Sequence, residues 1–515
     1  MRTTIRTALA VALVGVLLVA AGPASASSTR SNWREMTVGH FHLYSTLGDG
    51  ATRNVARELQ AFELTVGKYL QTDDGLPDVP TLIYILSEQD FRKYAADRPG
   101  LGGFFHEERA SNVLVIDGEM DFDYVKITVF HEYTHFIQGN THTLRLPPWF
   151  VEGYATLFSS FRMSKDVITL GELPHGVGVS IDPHVWIPME RLLAVKQSDP
   201  EYRAEKLMPQ FYGESWALVH LLMFDDRTLS APTDRYLTDV DVGMPEPAAF
   251  TNAFPFDKAG LDEALKKLIR GQLIHIKKLT LKSPIEVEQA PITRMSVADA
   301  DAAMARLLLT LRRPPEILDP LIQSAVAESQ SAPGVLALAA RIKARAHDTL
   351  DLEAVQHLAA ATDIPVQERI DLADALLADG GTVEHAKIAL PILDGVVHVA
   401  DPPVEAVMLW AQAAALNDLT PARVVEVVEP ASKRAPHNTE LLRWLAFASE
   451  MQGQKAKARG YYTRIMRVSS YDKERAWAQQ QADSARMQDD PPPAEAPAAP
   501  PKPPAKPGTK RPVKP

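Results

Sequence analysis

Five residues about a quarter of the way along the chain, His131-Glu132-Tyr133-Thr134-His135, restrict what it can fold into more than any other stretch. An α-helix turns about 100° per residue, so histidines four apart share one face, one turn from each other, and both imidazoles can reach a single ion. Glu132 lies to the side of that face, where its carboxylate can take a proton from water at the ion without becoming a ligand. The flanks predict the helix. Asp121 and Asp123 precede the apolar run Val125, Ile127, Val129, Phe130, Phe136 and Ile137, as expected of an acid-capped helix buried on most sides. Gly139-Asn140 reads as its stop and Pro147-Pro148 as a fresh start, after which Trp149-Phe150-Val151-Glu152-Gly153-Tyr154-Ala155 opens a second helix. Glu152 would be the third ligand, because a tetrahedral catalytic zinc uses three protein ligands and one open position, and two His with one Glu is a known set.

Taken together, His131-Glu132-x-x-His135 and Trp149-x-x-Glu152-Gly153-x-Ala155 resemble the gluzincin metallopeptidases, specifically the peptidase MA-like group related to the thermolysin and aminopeptidase N families. The resemblance covers roughly residues 33 to 285 and extends more loosely to Phe211-Tyr212-Gly213-Glu214-Ser215-Trp216. It implies an α+β zincin-like catalytic domain holding one Zn2+ on His131, His135 and Glu152. Glu132 would be the general base, and the reaction would be hydrolysis of a peptide bond in a peptide or protein substrate. Enzymes of this kind often stabilise the developing oxyanion with a Tyr or His from a later helix. Tyr212 is the candidate for that role, with a Tyr packed on a core stripe as the equally open reading. His175 is a weaker alternative donor, and His220 reads as helical filling. There is no glycine-alanine-methionine-glutamate-asparagine element of the kind aminopeptidases use to hold a free amino terminus, so exopeptidase action is not supported.

One rival for the third ligand is His142, seven residues after His135. The metzincin pattern H-E-x-x-H-x-x-G-x-x-H would need Gly and His where this chain has Gln138 and Thr141, so its register is off by one. Glu152 is therefore preferred, and His142 is a loop histidine.

The chain begins with Arg2 and Arg6, the fourteen-residue apolar run Ala8 to Ala21, and Pro23-Ala24-Ser25-Ala26, which together predict a signal peptide over 1–26 with cleavage after Ala26. The run is short for a bilayer core about 30 Å thick, and no other stretch would span, so the mature protein is expected to be exported, periplasmic or extracellular. The chain has no Cys, so neither disulfides nor a lipidated cysteine can form, and stability rests on the core and the metal. The formal net charge of -11 becomes two units more negative once Arg2 and Arg6 leave, so nucleic acid and anionic lipid are not expected partners.

Periodicity predicts strands over 37–44, 80–86 and 112–117, helices over 51–70 and 88–96, and a turn at 101–105. In gluzincins an edge strand above the metal pairs with extended substrate; residues 112–117 read either as that strand or as an ordinary core strand. His106 reads as a loop residue. Residues 225–252 look loop-rich, a helix follows over 261–276, and Ser283 to Pro291 reads as a linker.

From 296 to 487 only helical patterning appears. Leu372-Ala373-Asp374-Ala375, Leu409-Trp410-Ala411-Gln412-Ala413 and Trp444-Leu445-Ala446-Phe447-Ala448 recur at about 35 to 38 residues, resembling tetratricopeptide repeats. An all-α, TPR-like solenoid or a non-repeating helical bundle would each bind a protein partner rather than perform chemistry. The Pro, Ala and Lys of 489–515 predict a disordered tail. A protein-interaction scaffold with a vestigial peptidase domain is thus the alternative function, and zinc-assisted hydrolysis of a non-peptide amide is a third.

Overall fold

The computed structural model describes residues 32–70, 79–95, 102–107, 111–141, 146–173, 180–271, 274–280, 285–329, 332–361, 364–469 and 472–486. The expected leader and tail, His142 and His175 lie outside the described residues. The molecule is mixed: a sheet-containing N-terminal part precedes a helix-rich C-terminal part.

The strands are β1 (Arg34–Val38), β2 (Phe41–Ser45), β3 (Thr81–Leu86), β4 (Gly103–Glu107), β5 (Asn112–Asp117), β6 (Arg162–Ser164), β7 (Val167–Leu170), β8 (Lys277–Thr280) and β9 (Ile292–Arg294). The main sheet runs β4-β5-β3-β2-β1-β9, and a smaller one runs β6-β7-β8. The single strand expected over 37–44 is a hairpin, turned at Gly39, whose φ of 57° a side chain would resist. β2, β3 and β5 are parallel neighbours, and the crossover from β2 to β3 is the helix α1 (Asp49–Leu70). β9, just beyond the segment read as a linker, returns the chain to the sheet beside β1.

β5 lies between β3 and β4 with all six residues buried, so of the two readings of 112–117 the core strand is correct. The edge belongs to β4, over residues read as a turn, and His106 sits on that strand opposite Val113 rather than in a loop. Both segments are short, and the pairing order is what separates the edge strand from the interior one.

Alternation along β2 splits the sheet between two cores. Phe41 and Leu43 join α1 and the helices α2 (Phe122–Thr141) and α3 (Pro148–Ser159) on one face. On the other, Tyr84, Val113 and Val115 pack with Met304, Leu308, Leu321 and Leu338 from the helices 297–310, 315–328 and 333–345. The helices beyond the sheet therefore complete its second core. Residues 225–252 are more ordered than their Gly and Pro content suggests, forming helices at Ser230–Asp241 and Glu246–Ala253.

The C-terminal helices pack each against the next, and helices beginning at Val366, Val404 and Thr439 also touch one another in turn. Buried alanines such as Ala373, Ala411 and Ala446 permit that approach. A buried charge network ties the first of these helices to the region below. Arg306 and Arg341 each donate to Asp371, at 2.8 and 2.9 Å, and Arg341 also donates to Asp374 at 2.8 Å. No helix among the described residues is long and apolar enough to cross a membrane.

Candidate metal centre

α2 opens where Asp121 accepts a hydrogen bond from the Asp123 amide at 3.0 Å, the acid cap the sequence suggests. It runs on through Gly139-Asn140 to Thr141, past the stop the sequence suggests. Its inward face carries Val129, Phe130, Tyr133 and Ile137, with the Phe130 ring stacked on Phe62 of α1 at 4.1 Å. Tyr133 donates to Glu63 at 2.9 Å, and His40 also meets Glu63 at 3.1 Å. That clasp fixes the rotation of α2, and the opposite face carries His131 and His135.

α3 starts at Pro148, whose missing N–H is no loss at a first helical position. It packs across α4 (Met208–His220) at very close range: a Cβ on Gly153 would stand 2.3 Å from the Ser215 carbonyl oxygen. Glycine at 153 therefore seats the helix that carries Glu152.

The three predicted ligands converge. His131 Nε2 and His135 Nε2 are 3.1 Å apart, and each lies 3.3 Å from Glu152 Oε2. Three donor atoms held 2.0–2.1 Å from a tetrahedral zinc are about 3.4 Å from one another, so the spacing fits that ion. Glu152 Oε2 is buried and accepts no hydrogen bond, while Oε1 accepts from the Tyr202 hydroxyl at 2.5 Å. A buried carboxylate oxygen without a donor costs free energy unless a cation fills the place. Burial alone would raise the Glu152 pKa; the two imidazoles overrule it and hold the carboxyl well below the usual carboxylate range. For His135, burial works against the charge and Glu152 outweighs it, raising the pKa. The group His131, His135 and Glu152 is the one cluster of at least three such donors among the described residues.

No protein-family model matches the chain, and no curated protein or solved structure is detectably similar to it. The chemistry of the site therefore rests on its own geometry.

Glu132 is half-buried on α2 and lies outside the converging group, and its carboxylate acts electrostatically on the candidate ligand His135 and on Tyr202 and Tyr212, which border that group. Tyr212, half-buried on α4, stacks on the His131 ring at 5.8 Å. Burial, then Glu152 and Glu132, keep its hydroxyl protonated far above its ordinary range, so it is a donor and not a base. It thus borders the converging group through His131 while its ring also packs against the main core. His220 lies at the other end of α4, fully buried and paired with Asp225 at 2.6 Å, so it is more than filling but has no part in the cluster.

Sequence reasoning missed Tyr202. It sits on a four-residue helix, Pro200–Arg203, fifty residues after its partner, and the aromatic alone carries no signal of that hydrogen bond. Partners of this kind orient a ligating carboxylate, and their removal costs about 10–100-fold in metal affinity. Tyr202→Phe is expected to weaken zinc binding by about that factor, measured by competition with a chelator, while the melting temperature of the metal-free protein changes little.

Glu214 is buried on α4, one turn beyond Tyr212's neighbour Phe211. Its Oε1 accepts from the Ile187 amide at 2.9 Å and from Gln210 at 2.6 Å. Burial raises its pKa to about 7 from an ordinary 4.5, the two donors only partly opposing this. The folded state thus holds the proton more tightly than the unfolded one. Stability from this group is complete below pH 4.5, falls as pH rises towards 7 and is level above it. Glu214→Gln is expected to gain up to about 3 kcal/mol over the wild type between pH 4.5 and 8, read from urea midpoints of both proteins at each pH.

Proposed function

We propose that the protein is an exported zinc-dependent metallopeptidase with a zincin-like catalytic domain and TPR-like helical repeats. The observation that carries this reading is the mutual spacing of His131 Nε2, His135 Nε2 and Glu152 Oε2, at 3.1 and 3.3 Å, around a buried oxygen with no donor. Zinc held there would supply Lewis-acid chemistry, polarising a carbonyl and making water more acidic.

The chain's own residues supply the rest. Glu132 takes a proton from water and returns it to the leaving nitrogen. Tyr212 donates its hydroxyl hydrogen to the carbonyl oxygen as negative charge develops there. Tyr202 keeps Glu152 turned so that Oε2 faces the two imidazoles. β4 is an end strand of the main sheet among the described residues, and its Phe105 packs against Tyr133 and Phe136 of α2 at 5.8 Å, so an extended substrate strand added beside it would run alongside the helix of candidate ligands.

The repeat region supports an accessory role in binding a protein substrate or partner, because its helices stack in successive pairs. The same stacking is the one observation favouring the scaffold alternative. Incubating the mature protein from Ser27 with a defined peptide library separates the readings. Cleavage that o-phenanthroline stops and added zinc restores supports the peptidase; no cleavage of any peptide bond, with intact partner binding, favours the scaffold, and hydrolysis confined to non-peptide amides would identify the third reading.

A further inference from the structure

On the flank of the sheet-containing part lies a pocket of about 570 Å³ whose polar lining is cationic. Lys68 comes from the last turn of α1, Arg227 from the short turn after α4, and Lys277 and Lys278 from β8, an edge strand of the small sheet. Three distant segments thus contribute four basic residues to one lining, in a protein whose formal net charge is -11; Lys277 and Lys278 are consecutive on the strand, so their side chains leave it on opposite faces. No carboxylate lines the pocket among the described residues. Arg227 acts electrostatically on both Lys277 and the Tyr69 hydroxyl, so the groups lie within reach of one another.

Like charges gathered this way repel, and the protein relieves them only in part. Lys277 is half-buried with its ammonium over the Phe224 ring at 4.4 Å; burial first, and Arg227 second, hold its pKa below the usual lysine range. The carboxylate that acts on it, Asp225, is engaged by His220 at one oxygen and His275 at the other. Tyr69 and Ser230 add two hydroxyl donors to the lining. Tyr69 also packs against Phe158 at 5.4 Å, six residues along α3 from Glu152, so the pocket stands apart from the ligand cluster.

We infer that Lys68, Arg227, Lys277 and Lys278 form a binding site for a phosphate-class oxyanion. Several cations with hydroxyl donors suit an anion that carries more than one negative charge and accepts on several oxygens. The pocket exceeds by far the roughly 30 Å³ share of a water molecule, which leaves room for the group a phosphate is attached to. That group could belong to a soluble phosphate compound or to a lipid headgroup.

The test uses the full mature chain, with sodium pyrophosphate titrated calorimetrically at constant ionic strength. Saturable binding is expected in the wild type, weakened by about tenfold or more in Arg227→Gln/Lys277→Gln and unchanged in Lys267→Gln/Arg270→Gln, a basic pair elsewhere. Equal melting temperatures of the three proteins guard against misfolding. Co-sedimentation with phosphatidylglycerol vesicles, but not phosphatidylcholine ones, that the first variant abolishes would identify a lipid source; pyrophosphate binding without co-sedimentation would identify a soluble one. No saturable binding in the wild type, or binding unchanged in Arg227→Gln/Lys277→Gln, overturns the inference. Asp73 and Asp74 follow α1 outside the described residues. Binding that appears only in Asp73→Asn/Asp74→Asn would also overturn it, by showing that the cations serve the chain's own acids.

Discussion

Replacing Glu132 by Gln is expected to lower peptide hydrolysis by about 100-fold or more while zinc stays bound. The amide keeps the size of the side chain but cannot take a proton. Glu132 is not among the three converging ligand atoms, and it is half-exposed, so neither metal affinity nor folding should suffer. Zinc content and melting temperature measured on the same preparation separate lost chemistry from lost structure. Tyr212→Phe should also lower the rate, by about 100-fold if its hydroxyl is the main oxyanion donor, again with zinc retained. Full activity in Glu132→Gln would remove the general base from this account and leave the metal group as a structural or vestigial feature.

Gly153→Ala is expected to cause a large loss of stability from a single methyl group. An added Cβ would meet the Ser215 carbonyl oxygen at 2.3 Å, the Ser215 carbonyl carbon at 2.6 Å and Val219 Cγ2 at 2.7 Å. Two of those atoms are backbone, inside a buried helix, and cannot swing aside. Either α3 and α4 separate or the chain bends, at a cost of about 3 kcal/mol or more by comparison with overpacked cores. Because α3 carries Glu152 and α4 carries Tyr212, the same shift would spread the ligand cluster, and zinc affinity should fall with stability. Gly460→Ala is the matching control. Gly460 is helical and exposed, with nothing within 4 Å of the added Cβ, so the substitution should stabilise by about 0.5–1 kcal/mol through helix propensity. Urea midpoints of both variants read the contrast directly.

The ligand cluster was legible because its information is local. His131 and His135 meet through the period of one helix, and Glu152 follows on the next, so no long-range knowledge is needed to bring them together. Tyr212 could be placed only through the resemblance, since its return to His131 depends on how α4 crosses α3, and that crossing is set by the contact at Gly153. Tyr202 and the cationic pocket were not legible at all. Each depends on residues that share no sequence pattern and meet only after folding, Tyr202 with Glu152 across fifty residues and Lys68 with Lys277 across the whole sheet-containing part.

Among the strands, residues 103–107 and 112–117 are both short, and the edge is decided by β5 pairing with β3 on its other side. The return of β9 to β1 and the second core beneath the helices 297–345 were hidden for the same reason. Alternation shows that a strand has two faces, not what will cover the second one.

The most direct test of the proposed metal centre is zinc stoichiometry on the purified mature protein after zinc-replete dialysis, beside Glu152→Ala and His142→Ala. The account predicts one ion per chain in the wild type and in His142→Ala, with little in Glu152→Ala. A wild type that holds no zinc, or a Glu152→Ala protein that keeps its ion while His142→Ala loses it, would contradict the assignment of His131, His135 and Glu152 as the ligands.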